Sequence, residues 1–149
     1  MRSLNVAVAA TLCALSTTLI APGAHASRAD VYEDQIVIVT NNQRTAHDLL
    51  PLRPDPCLAS FAQRQAERMA ENKRIFHQDL GSILRRCDLS TVGENVAYGY
   101  ADGRAVVSDG WMRSAGHREN ILNATFRLMS VGAVQRNGRW YTAQVLGAR

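Results

Sequence analysis

His77, Glu94 and His117 are the residues of this chain whose types could do chemistry together. An imidazole titrates near neutral pH and offers a lone pair to a metal, while a carboxylate can ligate, orient or take up a proton. Each lies in a short polar segment: Phe76-His77, Gly93-Glu94-Asn95, and Ser114-Ala115-Gly116-His117-Arg118-Glu119-Asn120-Ile121-Leu122. Two neutral imidazoles suit a divalent cation, zinc or calcium, with Glu94 either as a third ligand or as the group that orients a bound water. Three protein groups plus water is also the layout of a catalytic zinc centre, so a metal-dependent extracellular hydrolase is the alternative chemistry. The plain structural reading stands beside both: Glu94 bonded to backbone amides, and the histidines satisfied by one another and by water. The three residues are far apart in sequence, and spacing alone does not bring them together.

Other reactive-looking features carry less. His117-Arg118-Glu119 has the His-x-Glu spacing of zinc deaminases, but the Pro-Cys-x-x-Cys that would complete such a site is absent. Ser114 precedes a histidine by three positions without the strained turn a hydrolase nucleophile needs. His47 belongs to the polar end of a helix and is read as solvated. Trp111 and Phe61 read as core. Tyr98, Tyr100, Trp140 and Tyr141 read as packing residues first and as the lining of a groove only second.

The elements that must position the site follow from pattern. Residues 1–26 have the form of an export signal: Arg2, an uncharged run from Leu4 to Ile20, and Ala24-His25-Ala26 as a small-x-small cleavage site. A lipid anchor at Cys13 is not expected, because Leu12 stands where a small residue is needed. Residues 27–149 then form one domain, large enough for a single core. The formal charge is +4, including Arg2 of the leader, and the arginines are spread along the chain rather than clustered. Nucleic acid is therefore not an expected partner. Without the leader only Cys57 and Cys87 remain, an even number in an exported chain, which favours a disulfide closing a loop of about 30 residues.

Asp30 and Glu33 have capping-box spacing ahead of Tyr32, Ile36, Val39, Ala46 and Leu50, predicting a first helix despite the β-branched run from Ile36 to Thr40. After the Pro51–Pro54 break, Asp55-Pro56 opens a second helix through Leu58, Phe61, Ala62, Gln65 and Met69, ending near Lys73. Residues 76–92 read as a loop that carries His77 and is pinned by Cys87. Asp102 caps a helix through Val106, Val107, Gly110 and Trp111 to about Ser114, and Gly116 turns the chain into His117–Leu122. Phe126–Arg136 and Arg139–Leu146 are extended runs joined by Asn137-Gly138, a favoured two-residue hairpin turn. Helices followed by a hairpin predict an α+β fold.

In this order, Asn41-x-x-Arg44 with Pro51-Leu52, Phe76-His77, Gly93-Glu94-Asn95-Val96-Ala97, Trp111-Met112-x-Ser114, Gly116-His117-Arg118-x-Asn120-Ile121-Leu122, Val131-Gly132 and Gln144 resemble the CAP superfamily of cysteine-rich secretory, antigen 5 and pathogenesis-related 1 proteins, in its bacterial SCP-like form. The resemblance implies an α-β-α sandwich with a small antiparallel sheet between helical layers. It also implies convergence of His77, Glu94 and His117 in an open cleft. Where family members carry a second glutamate, three positions after a tryptophan, this chain has Ser114; Asp109 and Glu119 are the other candidates to complete the cleft. What the resemblance implies is a secreted, monomeric binding module for a divalent cation, a small extracellular ligand or a cell-envelope component. Lipid or sterol binding, known among eukaryotic relatives, ranks last.

Overall fold

Ser27 opens the first helix, accepting from the Asp30 amide at 3.1 Å while the Asp30 carboxylate accepts from the Ser27 amide at 2.7 Å. The reciprocal cap is thus Ser27/Asp30 rather than Asp30/Glu33, and Glu33 is released for another task described below. The computed structural model describes residues 26–149, so the export signal read over residues 1–26 lies outside the described residues but for its last position. Helix α1 (Arg28–Thr45) buries Tyr32, Ile36, Thr40 and Arg44, a strict every-fourth-residue stripe. Val39 and Ala46 are off that stripe, and Leu50 is 65% exposed beyond the helix end.

Asp55 caps α2 (Pro56–Asn72), its side chain accepting from the Leu58 amide, and Lys73 ends the helix in the left-handed conformation. The segment expected to be a loop, 76–92, holds more order than that. Asp79 caps a two-turn helix, α3 (Leu80–Arg86), and strand β1 (Thr91–Tyr98) has begun before the segment ends. A seven-residue helix is too short to display a period. Asp102 caps α4 (Gly103–Ala105), from which the chain changes pitch through a π turn at Val106–Gly110 and a 3₁₀ turn at Trp111–Arg113. Gly116 lies within α5 (Ala115–Ile121) instead of forming a turn ahead of it.

Strands β2 (Leu128–Arg136) and β3 (Arg139–Ala148) form the expected hairpin, and Asn137 and Gly138 both take positive φ, 50° and 75°. The sheet is antiparallel with order β1-β3-β2. On one face α1 and the α4–α5 run supply Tyr32, Ile36, Val106, Trp111 and Ile121 against Ala97, Val131 and Trp140. On the other face α2 and α3 supply Leu58, Ala62, Met69 and Ile83 against Leu128, Val96, Ala143 and Val145. The result is the α-β-α sandwich. Both faces being covered explains why β1 shows an unbroken buried run from Gly93 to Ala97 instead of alternation. Gly132 is the point where α2 lies directly on β2: a Cβ there would come within 2.4 Å of the Gln63 amide nitrogen. Cys57 and Cys87 are bonded, tying α2 to the end of α3. No described helix is long and apolar enough to cross a membrane.

Candidate functional site

The site is built on β1, an edge strand, and is held from both helical layers. Trp111 Nε1 donates to the Val96 carbonyl at 3.1 Å, and Asn120 Nδ2 donates to the Glu94 carbonyl at 3.1 Å. These side chains occupy an edge that would otherwise offer unpaired acceptors. Inside the sheet a chain of amides continues the link. Asn120 Nδ2 donates to Asn95 Oδ1 at 2.9 Å, and Asn95 Nδ2 donates to Gln144 Oε1 at 2.9 Å and to the His117 carbonyl at 3.2 Å. Gln144 Nε2 in turn reaches Thr40 Oγ1 of α1 at 3.0 Å. Asn95, Gln144 and Thr40 are fully buried, so this network has no water to fall back on and specifies where α5 sits.

A second anchor for α5 is Arg44. Its guanidinium is wholly buried and faces four carbonyls and no carboxylate: Leu50 at 2.9 Å, Ile121 at 2.7 Å, Asn123 at 2.9 Å and Phe126 at 3.2 Å. The carbonyls of Ile121 and Asn123 belong to the end of α5 and the loop after it, where a cation also complements the helix dipole. Burial lowers the Arg44 pKa from its usual value, with Arg127 adding to the effect.

His77 and Glu94 meet directly. Nδ1 of His77 lies 2.7 Å from Oε2 of Glu94, and against a carboxylate that nitrogen is the donor, which leaves Nε2 as the free lone pair. The Glu94 side chain is 0% exposed, whereas His77 is 58% exposed. Gln78, which sequence reasoning did not single out, completes the shell: its amide donates to Glu94 Oε2 at 3.2 Å and its Nε2 to Oε1 at 2.6 Å. Only its position next to His77 could have drawn attention to it. His117, on α5, is half-buried with its ring 6.5 Å from that of Trp111. Its pKa is lowered from the usual value, first by burial and then by the neighbouring His77.

Of the three residues singled out in the sequence, His77 and Glu94 are in direct contact, while His117 is tied to β1 through its carbonyl and lies within electrostatic reach of His77. The oxygens of Glu94 are engaged by His77 and Gln78, and among the described residues no three His, Cys, Asp or Glu side chains converge as ready-made metal ligands. Asp109 is paired with Arg113 at 3.0 Å on the surface, and Glu119 is exposed. Ser114 precedes α5 without capping it. A cavity of about 330 Å³ opens beyond Gln78 and Asp79 toward Phe61, Arg64 and Arg68 of α2; His77, Glu94 and His117 are not on its wall. Phe61, read as core, is only half-buried and lies under the Arg64 guanidinium at 4.7 Å.

Residues 37–146 match the profile of the cysteine-rich secretory protein family, CAP. The chain belongs to the CAP family. Over 139 residues it is 35% identical to the uncharacterized protein YkwD of Bacillus subtilis, covering 89% of this chain and 52% of that protein. Its fold is similar to that of an extracellular protein containing an SCP domain from Bacillus anthracis, with TM-score 0.72 and 30% identity, covering 81% of this chain and 41% of that one. An outer surface protein of Borrelia burgdorferi shares the fold at TM-score 0.69 and 20% identity, covering 78% of this chain and 91% of that one. The CAP chain thus spans about half the length of its Bacillus relatives.

Proposed function

We propose that this CAP protein is exported and works outside the cell as a binding module, with a divalent-cation site formed by Nε2 of His77 and the imidazole of His117. Glu94 serves as the buried carboxylate that orients His77. The observation that carries this reading is the burial of Glu94 behind an exposed His77, with Gln78 donating to both of its oxygens. A carboxylate behind a histidine fixes the tautomer that presents the outer nitrogen, the arrangement by which metal-binding histidines are commonly held. Two nitrogen donors favour zinc over calcium, which takes six or more oxygens. Export is supported by the leader pattern of residues 1–26 and by the surface or extracellular description of structurally similar proteins.

Calorimetric titration with zinc tests the proposal. The wild-type chain is expected to bind, the His77→Ala/His117→Ala variant to give no heat, and Glu94→Gln to weaken binding by about 10–100-fold. Identical traces from wild type and the double variant would remove the proposal.

A further inference from the structure

At the hairpin end of the sheet, folding assembles a second polar site from residues with no part in the His77–Glu94 pair. Lys73, Arg136 and Arg139 border a cavity of about 330 Å³ whose other walls are Tyr98, Asn137 and Tyr141. No carboxylate lines it. Among the described residues the Arg or Lys ion pairs are Arg113–Asp109 and Arg149–Asp55, so none of these three cations has an acidic partner. The hairpin turn sets Arg136 beside Arg139, and the tertiary structure adds Lys73 from the end of α2.

The clustering of these cations runs against local stability. Arg136 and Arg139 are direct cross-strand partners, and like charges so placed repel. Lys73 has φ 52°, a conformation in which glycine is least strained, although the carbonyl end of α2 favours a cation there. The arginine pair lies away from any helix end, and of the two only Arg139 has a compensating contact. Arg139 is also held in place: its Nη1 donates to the Tyr98 hydroxyl at 2.7 Å, and its guanidinium lies 5.7 Å from the centre of that ring. The same hydrogen bond lowers the Tyr98 pKa below that of an ordinary phenol. The Tyr98 ring rests against Tyr141 at 4.7 Å. One cation is therefore fixed against a rigid aromatic wall with most of its donors free.

We infer that this cavity binds a phosphate-bearing anion, with the Arg136 and Arg139 forks and the Lys73 ammonium on its oxygens. A carboxylate offers two oxygens and one charge, whereas a phosphate offers at least three oxygens and up to two charges, which matches three convergent cations. The cavity equals the liquid volume of roughly ten waters, room for a phosphate with a glycerol-sized substituent. The site is separate from the proposed cation site, since Tyr98 is four residues along β1 from Glu94, about 13 Å by strand rise.

Calorimetry at low ionic strength with inorganic phosphate and with glycerol 3-phosphate tests a free ligand. Co-sedimentation with phosphatidylglycerol/phosphatidylcholine vesicles, against phosphatidylcholine alone, tests a lipid headgroup. Binding to at least one probe is expected, weakening as salt is raised. Arg136→Gln/Arg139→Gln is expected to lose about tenfold or more in affinity and Lys73→Gly about threefold. Glycine suits the backbone at position 73, so that variant keeps the fold. His77→Ala is expected to bind as wild type does. No binding to any probe, equal binding by wild type and the arginine double variant, or an equal loss in His77→Ala would each overturn the inference.

Discussion

Arg44→Met is the sharpest test of how the site is held. The substitution keeps a long side chain but removes every donor to the carbonyls of Leu50, Ile121, Asn123 and Phe126. Those of Leu50 and Asn123 are only partly buried and can be rehydrated, whereas the bonds to Ile121 and Phe126 are fully buried. Two stranded acceptors at about 1–3 kcal/mol each give roughly 2–6 kcal/mol. Relief of a desolvated cation returns part of this, leaving a net loss of about 3 kcal/mol. For a domain of this size that corresponds to a fall in Tm of about 10 °C. Arg44→Lys retains the charge but cannot span four carbonyls, so it is expected to fall close to the methionine variant. Urea denaturation followed by circular dichroism measures all three proteins. A loss under about 1 kcal/mol for Arg44→Met, or full stability for Arg44→Lys, would refute the view that the guanidinium geometry anchors α5.

Further outcomes follow from the same contacts. Cys57→Ser/Cys87→Ser opens a loop of sequence separation 30, and urea titration is expected to show a loss of about 3–4 kcal/mol on the chain-entropy account; a loss below about 1 kcal/mol would contradict it. Burial, with Asp30 and Asp34 nearby, pushes the Glu33 pKa up to about 7 even though its carboxylate accepts from the Ala133 amide. Its folded pKa exceeds its unfolded one, so its contribution is full below the unfolded value and is lost as pH rises through about 7. Glu33→Gln keeps an acceptor without the charge and is expected to raise stability at alkaline pH by about 1 kcal/mol, with little gain in acid. His117 has the opposite sign: its depressed pKa makes stability complete above the unfolded value and lost as pH falls from there through the folded one. Thermal melts of wild type and His117→Gln through the mildly acidic range are expected to show the variant losing less stability; parallel curves would contradict the burial of a neutral imidazole.

Much of this architecture was legible where local chemistry acts alone. Asp55-Pro56 and Asn137-Gly138 dictate a helix start and a hairpin because cap and turn geometry depend on adjacent residues only, and both elements formed as read. Legibility failed where burial came from elsewhere. β1 shows no alternation because both of its faces are covered, and α3 is too short to reveal a period. The Asp30/Glu33 cap was misread because Glu33 has a distant partner, Ala133, that no local spacing announces.

The candidate site divides along the same line. Residue type marked His77, Glu94 and His117, since few side chains can ligate or shuttle protons, and an ordered set of short motifs tied them to a family. Their unequal roles were decided only by packing. Gln78 donates to both oxygens of Glu94 and so holds the carboxylate behind His77, while Arg44 and the Asn95–Asn120–Gln144 network fix α5 against β1 through contacts between remote parts of the chain. The cationic cavity of Lys73, Arg136 and Arg139 likewise exists only after the hairpin meets the end of α2. A linear chain specifies which groups it carries, but the distances that turn them into a site are set by long-range burial, which no single segment contains.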